Sequence, residues 1–156
     1  MPLLRRIVVV CAVLLMPVLL HAQREKLPPD DLDFVEKTWP DAKTTSTGIR
    51  YVVQKEGSGN VLVPGDLAQV LYVGKLLHGK IFDRTKDKSK PFTFRVGRQE
   101  VIQGWDQILQ LMRPGDKWTV IIPPELAYGR RGQPPVIPGD ATLVFEMEVI
   151  GIKPDN

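Results

Sequence analysis

Side chains that perform acid–base, nucleophilic or metal chemistry are scarce in this chain of 156 residues. The only histidines are His21 and His78, and the only cysteine is Cys11. A Ser-His-Asp arrangement or a zinc site needs several such groups at suitable spacing, and the sequence does not supply them. The phosphate-binding patterns GxxxxGK[ST] and GxGxxG are also missing. We therefore expect no metal, no cofactor and no covalent catalysis, and interpret His78 as an exposed turn residue.

Aromatic residues, in contrast, are more numerous near predicted turns and strand ends than a core requires. Taken singly, Phe92, Phe94, Trp105 and Phe145 are ordinary candidates for a hydrophobic core. Their number beside the loops favours a site that binds something apolar. Noncovalent binding is thus the chemistry that the residue types indicate.

The elements that must position these rings follow from the spacing of apolar residues. Period-two alternation predicts strands over 49–53, 92–96 and 143–149, and we expect strands over 67–77 and 118–122 as well. A His78-Gly79 turn would lead into a further strand over 80–82. Residues 101–112 have the apolar spacing of a helix, and Pro114-Gly115 ends it. One short helix among about five antiparallel strands predicts a curved sheet wrapped around that helix.

The amino-terminal residues are predicted to direct export. Arg5 and Arg6 precede an apolar run over 7–20, and Ala22 suits cleavage, so we interpret 1–22 as a cleavable signal peptide. The run is short for a membrane span, and a retained anchor is the alternative. Residues 23–47 are predicted to be an extension or linker with one short helix over 30–38, capped by Asp30. We expect a periplasmic or secreted protein without stable membrane association after cleavage.

The charge balance argues against a nucleic-acid partner. Without Arg5 and Arg6, the chain has 19 basic residues against 18 acidic ones, which gives no general attraction to phosphates. Lys86, Lys88 and Lys90 form a local basic run, which we interpret as a loop that keeps a sheet edge soluble.

Five blocks, in order and with their spacing kept, resemble the FKBP-type peptidyl-prolyl isomerases. They are Val70–Gly74 with Gly79–Asp83, Pro91–Phe94 with Gly97–Trp105, Leu126–Gly129, Ile137–Pro138 and Ala141–Glu146. The resemblance covers roughly residues 48–154, which we assign as the isomerase domain. It implies an α+β fold, in which a twisted antiparallel half-barrel of five to six strands wraps around one short α-helix.

The resemblance also implies an activity and a set of site residues. The activity is cis–trans isomerisation of the peptide bond before proline, so the partners would be proline-containing polypeptides and macrolides of the tacrolimus and rapamycin type. The proline ring would rest on Trp105, within walls formed by Tyr72, Phe82, Phe92, Val101, Ile102, Ile137 and Phe145. The hydroxyl of Tyr128 and the backbone N–H of Ile102 would donate to a carbonyl. Asp83 would accept a hydrogen bond from Tyr72 and orient that ring.

Three positions depart from the family pattern, and one alternative function stays open. Lys88 stands where many members have arginine, Gln133 where some have histidine, and Leu126 where some have an aromatic residue. These changes bear on substrate preference and drug affinity. The alternative is a peptide-binding chaperone or interaction module that uses the same groove, with incidental turnover.

Overall fold

The computed structural model describes residues 25–153, which form one antiparallel sheet, two α-helices and two 3-10 turns. The predicted signal peptide over 1–22 lies outside the described residues. Within residues 25–153, no helix has both the length and the apolar character needed to cross a membrane. The elements in chain order are α1 (Pro29–Thr38), β1 (Lys43–Thr44), β2 (Arg50–Lys55), β3 (Leu67–Leu76), β4 (Ile81–Thr85), β5 (Phe92–Arg95), α2 (Gln103–Ile108), β6 (Lys117–Ile122) and β7 (Leu143–Lys153), with 3-10 turns at Leu109–Leu111 and Pro124–Leu126.

The sheet is open and has the strand order β1-β2-β6-β7-β3-β4. Strand β5 pairs with the first half of β3, and β4 pairs with its second half. The predicted turn between β3 and β4 is present, and Gly79 adopts a φ of 95° there, which glycine tolerates without strain. Strands β4 and β5 therefore lie end to end along one edge of the sheet.

One face of the sheet, here called the inner face, packs against α2 and encloses the main core. Phe145, Met147 and Val149 of β7 point into this core at every second position, as their alternation predicts. Trp105 and Ile108 project from α2 into the same core. The sheet and the short helix therefore bury each other's apolar faces, and the helix is held under the middle strands.

Helix α1 covers part of the opposite, outer face of the sheet. Val35 is fully buried against a second, smaller core that contains Ile121 of β6 and Val144 of β7. The hydroxyl of Thr142 donates a hydrogen bond of 2.6 Å to Asp31 Oδ2. The described part of the predicted extension, residues 25–47, thus packs onto the sheet, and we call it the N-terminal arm.

A charged contact also joins the arm to the sheet. Both carboxylate oxygens of Glu25 accept hydrogen bonds from the Arg50 guanidinium, at 3.2 and 2.7 Å. These bonds, with backbone N–H groups of Lys26 and Leu27, lower the pKa of Glu25 to about 2 against the opposing effect of its partial burial. Glu25 consequently stays ionised, and its pairing with Arg50 depends on that charge.

The predicted α+β antiparallel fold is confirmed, with two differences in detail. The sheet has seven strands instead of five or six, because the two-residue strand β1 is too short to show alternation. The predicted helix over 30–38 is present as α1, but it begins at Pro29, and Asp30 lies in its first turn, so the predicted Asp30 cap is wrong. Pro28 occupies the N-cap position without a side-chain capping hydrogen bond. Pro29 suits the first helical position, because the N–H that proline lacks would have no partner within the helix.

Candidate active site

An open cavity of about 210 Å³ lies on the inner face, between the β4–β5 edge and α2. Nine of the ten predicted site residues line it, and they come from six different parts of the chain. The tenth, Ile137, is buried in the main core instead, where its backbone pairs with Gln133. The lining residues are Tyr72, Phe82, Asp83, Phe92, Glu100, Val101, Ile102, Trp105, Tyr128 and Phe145.

Trp105 forms the base of this pocket and is almost completely buried. Tyr72, Phe145 and Phe92 contact its indole edge-on, with ring centroids at 4.9, 5.2 and 6.0 Å. Such edge-to-face contacts are favourable and fix ring orientation. The indole Nε1 has no hydrogen-bond partner among residues 25–153. The pocket is therefore a preformed aromatic cup.

Two tyrosines, Tyr72 and Tyr128, line the pocket. Tyr72 donates a hydrogen bond of 2.5 Å to Asp83 Oδ2, as the sequence predicts, and Asp83 Oδ1 accepts the backbone N–H of Arg84. Burial, reinforced by the hydrogen bond and charge of Asp83, raises the pKa of Tyr72. Burial and the charge of Asp83 also raise the pKa of Tyr128. Both hydroxyls therefore stay protonated at neutral pH and can act as donors.

The segment leading into α2 is organised by Asp106, a residue that the sequence analysis missed. Its Oδ1 accepts the N–H of Gly97 at 2.8 Å, and its Oδ2 accepts the N–H of Gln99 at 2.9 Å. Gln99 has a φ of 60°, which is uncommon for a residue other than glycine. The buried carboxylate thus fixes the turn before Ile102, whose own N–H has no hydrogen bond in the described part of the chain.

Gly74 is a second residue whose role the sequence alone did not reveal. It lies on β3 directly behind the pocket wall, where a Cβ would stand 2.7 Å from Phe82 Cζ and 2.9 Å from Phe145 Cε1. Glu100, the remaining lining residue, was also missed. A glycine inside a predicted strand signals close approach of another group, so only Gly74 had a recognisable signal.

The other residues that the sequence analysis singled out, among them His78, Lys88 and Leu126, do not line the pocket. His78 is exposed in its turn and contacts the Phe34 ring of α1, with centroids 5.0 Å apart. Across residues 25–153, no three His, Cys, Asp or Glu side chains come together as metal ligands would. Lys88 lies 3.9 Å from Glu148, and Leu126 is buried. What the pocket offers is apolar surface, a few hydrogen-bond donors and two carboxylates.

Known proteins are similar to this chain in sequence. A probable FKBP-type peptidyl-prolyl cis-trans isomerase of Haemophilus influenzae is 39% identical over 116 residues, which are 74% of this chain and 47% of the relative. Human FKBP2 is 49% identical over 89 residues, or 57% of this chain and 63% of that protein. The chain spans about half the length of curated relatives such as the Haemophilus protein.

Solved structures agree with the sequence relatives. A peptidyl-prolyl cis-trans isomerase from Pseudomonas syringae superposes with a TM-score of 0.70 at 35% identity, covering 80% of this chain and 92% of that one. FkpA from Escherichia coli gives 0.71 at 38% identity, covering 80% and 58%. Residues 59–150 match the family described as FKBP-type peptidyl-prolyl cis-trans isomerase. Sequence, fold and pocket together place this chain in the FKBP-type peptidyl-prolyl cis-trans isomerase family.

Proposed function

We propose that this protein accelerates cis–trans isomerisation of X-Pro peptide bonds by noncovalent binding. The observation that carries the proposal is the convergence on one open aromatic pocket of nine side chains that the family resemblance implied. The names of the relatives support the same activity. A reaction that breaks no covalent bond needs no nucleophile, and most of the side chains that line this pocket are apolar or aromatic.

The physical basis is the change in amide polarity along the reaction. Rotation about a peptide bond has a barrier of about 18–20 kcal/mol, because delocalisation of the nitrogen lone pair gives the C–N bond double-bond character. Uncatalysed X-Pro isomerisation therefore takes tens to hundreds of seconds. The twisted amide has a smaller dipole than the planar one, so an apolar pocket that excludes water disfavours the planar state relative to it. Each tenfold acceleration requires about 1.4 kcal/mol of this difference.

The pocket residues supply position and shape for that change. The proline ring packs on the Trp105 indole, and the Tyr128 hydroxyl and the Ile102 N–H donate to substrate carbonyls. Asp83 keeps the Tyr72 ring in place through its 2.5 Å hydrogen bond and transfers no proton. In this mechanism the bound amide twists inside a pocket whose walls are already arranged around it.

The test is an isomerisation assay on a Leu-Pro peptide, with the wild-type protein and with Phe92→Ala and Trp105→Ala. Phe92 lines the pocket, so its truncation should reduce kcat/KM by at least about tenfold. Because Phe92 is 38% exposed, the fold should be retained. Ile152→Ala is the matched control, since Ile152 is 41% exposed and does not line the pocket. Wild-type turnover in a folded Phe92→Ala variant would contradict the proposal. Trp105→Ala must be checked for folding, because the residue is buried.

Macrolides of the tacrolimus type should occupy the same pocket. A proline-like ring on the Trp105 indole would compete directly with the peptide substrate. We therefore expect tacrolimus to inhibit isomerisation competitively, and Phe92→Ala to weaken that inhibition. Inhibition that does not depend on the peptide concentration would show that the macrolide binds outside the pocket.

We also propose that the substrates are exported proteins, in the periplasm or outside the cell. The positively charged start and the 14-residue apolar run of the predicted signal peptide support this location. Fractionation of the producing cells, with amino-terminal sequencing of the protein, tests it. A soluble periplasmic or secreted protein that begins at residue 23 is the expected result, and a cytoplasmic protein that retains Met1 would refute it.

A further inference from the structure

Helix α2, which carries Trp105, is too short to be stable without contacts from other parts of the chain. It has six residues, Gln103–Ile108, and its N-cap residue Ile102 makes no side-chain capping bond. Isolated helices of this length do not persist in water, so the position of α2 depends on what holds it. Asp106 fixes the turn that leads into the helix. The next residue, Gln107, is held by a different part of the chain.

The turn between β1 and β2, at the end of the N-terminal arm, binds the side chain of Gln107. Thr47 Oγ1 donates a hydrogen bond of 2.6 Å to Gln107 Oε1, across 60 positions of sequence. Thr45 Oγ1 lies 3.1 Å from Thr47 Oγ1 and accepts the backbone N–H of Ile49 at 3.1 Å. A hydroxyl has one proton, so Thr47 accepts from Thr45 while it donates to Gln107. Thr45, Thr47 and Gln107 therefore form a chain with a single direction, here called the hydroxyl chain.

The backbone that carries the two threonines is also fixed. The N–H of Thr45 donates to the carbonyl oxygen of Ile49 at 2.8 Å, and the N–H of Gly48 donates to that of Thr45 at 3.1 Å. The three side chains of the hydroxyl chain are partly shielded from solvent, where hydrogen bonds are stronger than in water. The turn thus presents the Thr47 hydroxyl to α2 from a set position.

We propose that Thr47 is a positioning residue of the isomerase, which holds α2 through Gln107 and so keeps Trp105 in place as the base of the pocket. This inference rests on the proposed isomerase function. Thr47 does not line the pocket, so it acts on the substrate only through the helix. The Trp105 indole and the Ile102 N–H belong to the segment that α2 carries. A shift of about 1 Å in such groups can lower a rate by as much as about 100-fold.

The experiment measures isomerisation of a Leu-Pro peptide by the wild type, Thr47→Val and Thr47→Ser, at a temperature where all three are folded. Valine has the shape of threonine but lacks the hydroxyl, so we expect kcat/KM to fall by about fivefold. Serine keeps the donor and should stay within about twofold of the wild type. No turnover by the wild type would overturn the isomerase function and this inference with it. Wild-type turnover by Thr47→Val, or a loss that Thr47→Ser shares, would overturn the role of Thr47 alone.

Thr142→Val is the matched control for a general loss of stability. It removes another 2.6 Å hydrogen bond between the arm and the sheet, whose acceptor is Asp31 of α1, and Thr142 does not line the pocket. Both Thr47→Val and Thr142→Val should unfold at lower urea concentration than the wild type. Only Thr47→Val should lose kcat/KM. An equal loss in Thr142→Val would show that turnover follows the stability of the arm, and would refute the proposal.

A double-mutant cycle assigns the effect to the bond between Thr47 and Gln107. Gln107→Met keeps the length of the side chain and removes the acceptor, so it should also lower kcat/KM by about fivefold. Because both changes remove the same hydrogen bond, the double variant should lose no more than either single variant. A double variant that loses the product of the two effects, about 25-fold, would show that the two residues act independently, which contradicts the proposal.

Discussion

Replacing Gly74 by alanine tests whether the pocket wall depends on a position without a side chain. The new Cβ would lie 2.7 and 2.8 Å from Phe82 Cζ and Cε2, and 2.9 Å from Phe145 Cε1. Carbon atoms in contact normally lie about 3.5–4.0 Å apart, so each ring would have to move by about 1 Å. The strand cannot easily yield instead, because Gly74 is paired with Asp83 on β4 and with Phe145 on β7.

The size of the effect follows from that displacement. Overpacking by one methyl group costs about 1–3 kcal/mol of unfolding free energy. Phe82 and Phe145 are two walls of the pocket, and a 1 Å misplacement of positioning groups can lower a rate by as much as about 100-fold. We therefore expect kcat/KM of Gly74→Ala on a Leu-Pro peptide to fall by at least about tenfold, which is about 1.4 kcal/mol of transition-state stabilisation.

The measurement combines peptide isomerisation kinetics with urea unfolding of the same preparations. The matched control is Gly151→Ala on β7, because a Cβ there would meet no atom within 4 Å. This control should keep wild-type kcat/KM and change the unfolding free energy by less than about 0.5 kcal/mol. If Gly74→Ala isomerises the peptide as fast as the wild type, the wall is not fixed by this contact and the reasoning fails.

Three further predictions test the contacts around the pocket and the arm. Asp83→Leu should lower kcat/KM without abolishing it, because the carboxylate only orients Tyr72; complete loss in a folded variant, judged by circular dichroism, would instead assign Asp83 a direct role. Asp106→Ala removes two charge-assisted hydrogen bonds, so we expect the unfolding free energy in urea to fall by about 2 kcal/mol and kcat/KM to fall by about tenfold. Asp106→Asn should restore part of both losses. Wild-type stability and kcat/KM in Asp106→Ala would refute this role of Asp106. The pKa of Glu25 is lowered from 4.5 to about 2, so its pairing with Arg50 stabilises the fold above pH 4.5 and is lost as the pH falls towards 2. The stability difference between wild type and Glu25→Gln, about 1 kcal/mol or less for a pair this exposed, should shrink over that range, and a constant difference would contradict the assignment.

The regular parts of the fold were predictable because their causes are local. Alternation along 143–149 reports which side of a strand faces the core, and β7 has that arrangement. The spacing over 101–112 likewise predicted a helix with Trp105 buried. The α-helix itself is shorter than that range, Gln103–Ile108, and a 3-10 turn over Leu109–Leu111 follows it. Local patterns failed at β1, which is two residues long, and at the start of α1, where Pro28 instead of Asp30 occupies the N-cap position and makes no side-chain capping bond.

The sequence predicted most of the residues that line the pocket, but not how these residues are held in place. The resemblance named nine residues that line the cavity, yet it also named Ile137, which lies in the core. Asp106, Glu100 and Gly74 were missed, because the role of each depends on how the chain turns back on itself. Asp106 and Glu100 accept hydrogen bonds from backbone N–H groups in the preceding turn, and Gly74 leaves room for two rings. No spacing rule shows that a carboxylate on a helix will hold the turn before it.

The sequence by itself determined most of the segments that become strands and helices, and which family the chain resembles. These properties depend on residue types and on periodicity along the chain. Only the tertiary structure decided which faces meet, that the arm packs on the outer face, and that Asp83 and Glu100 line the pocket together. Those outcomes depend on the direction of side chains from strands brought together across the sheet, which local spacing does not encode.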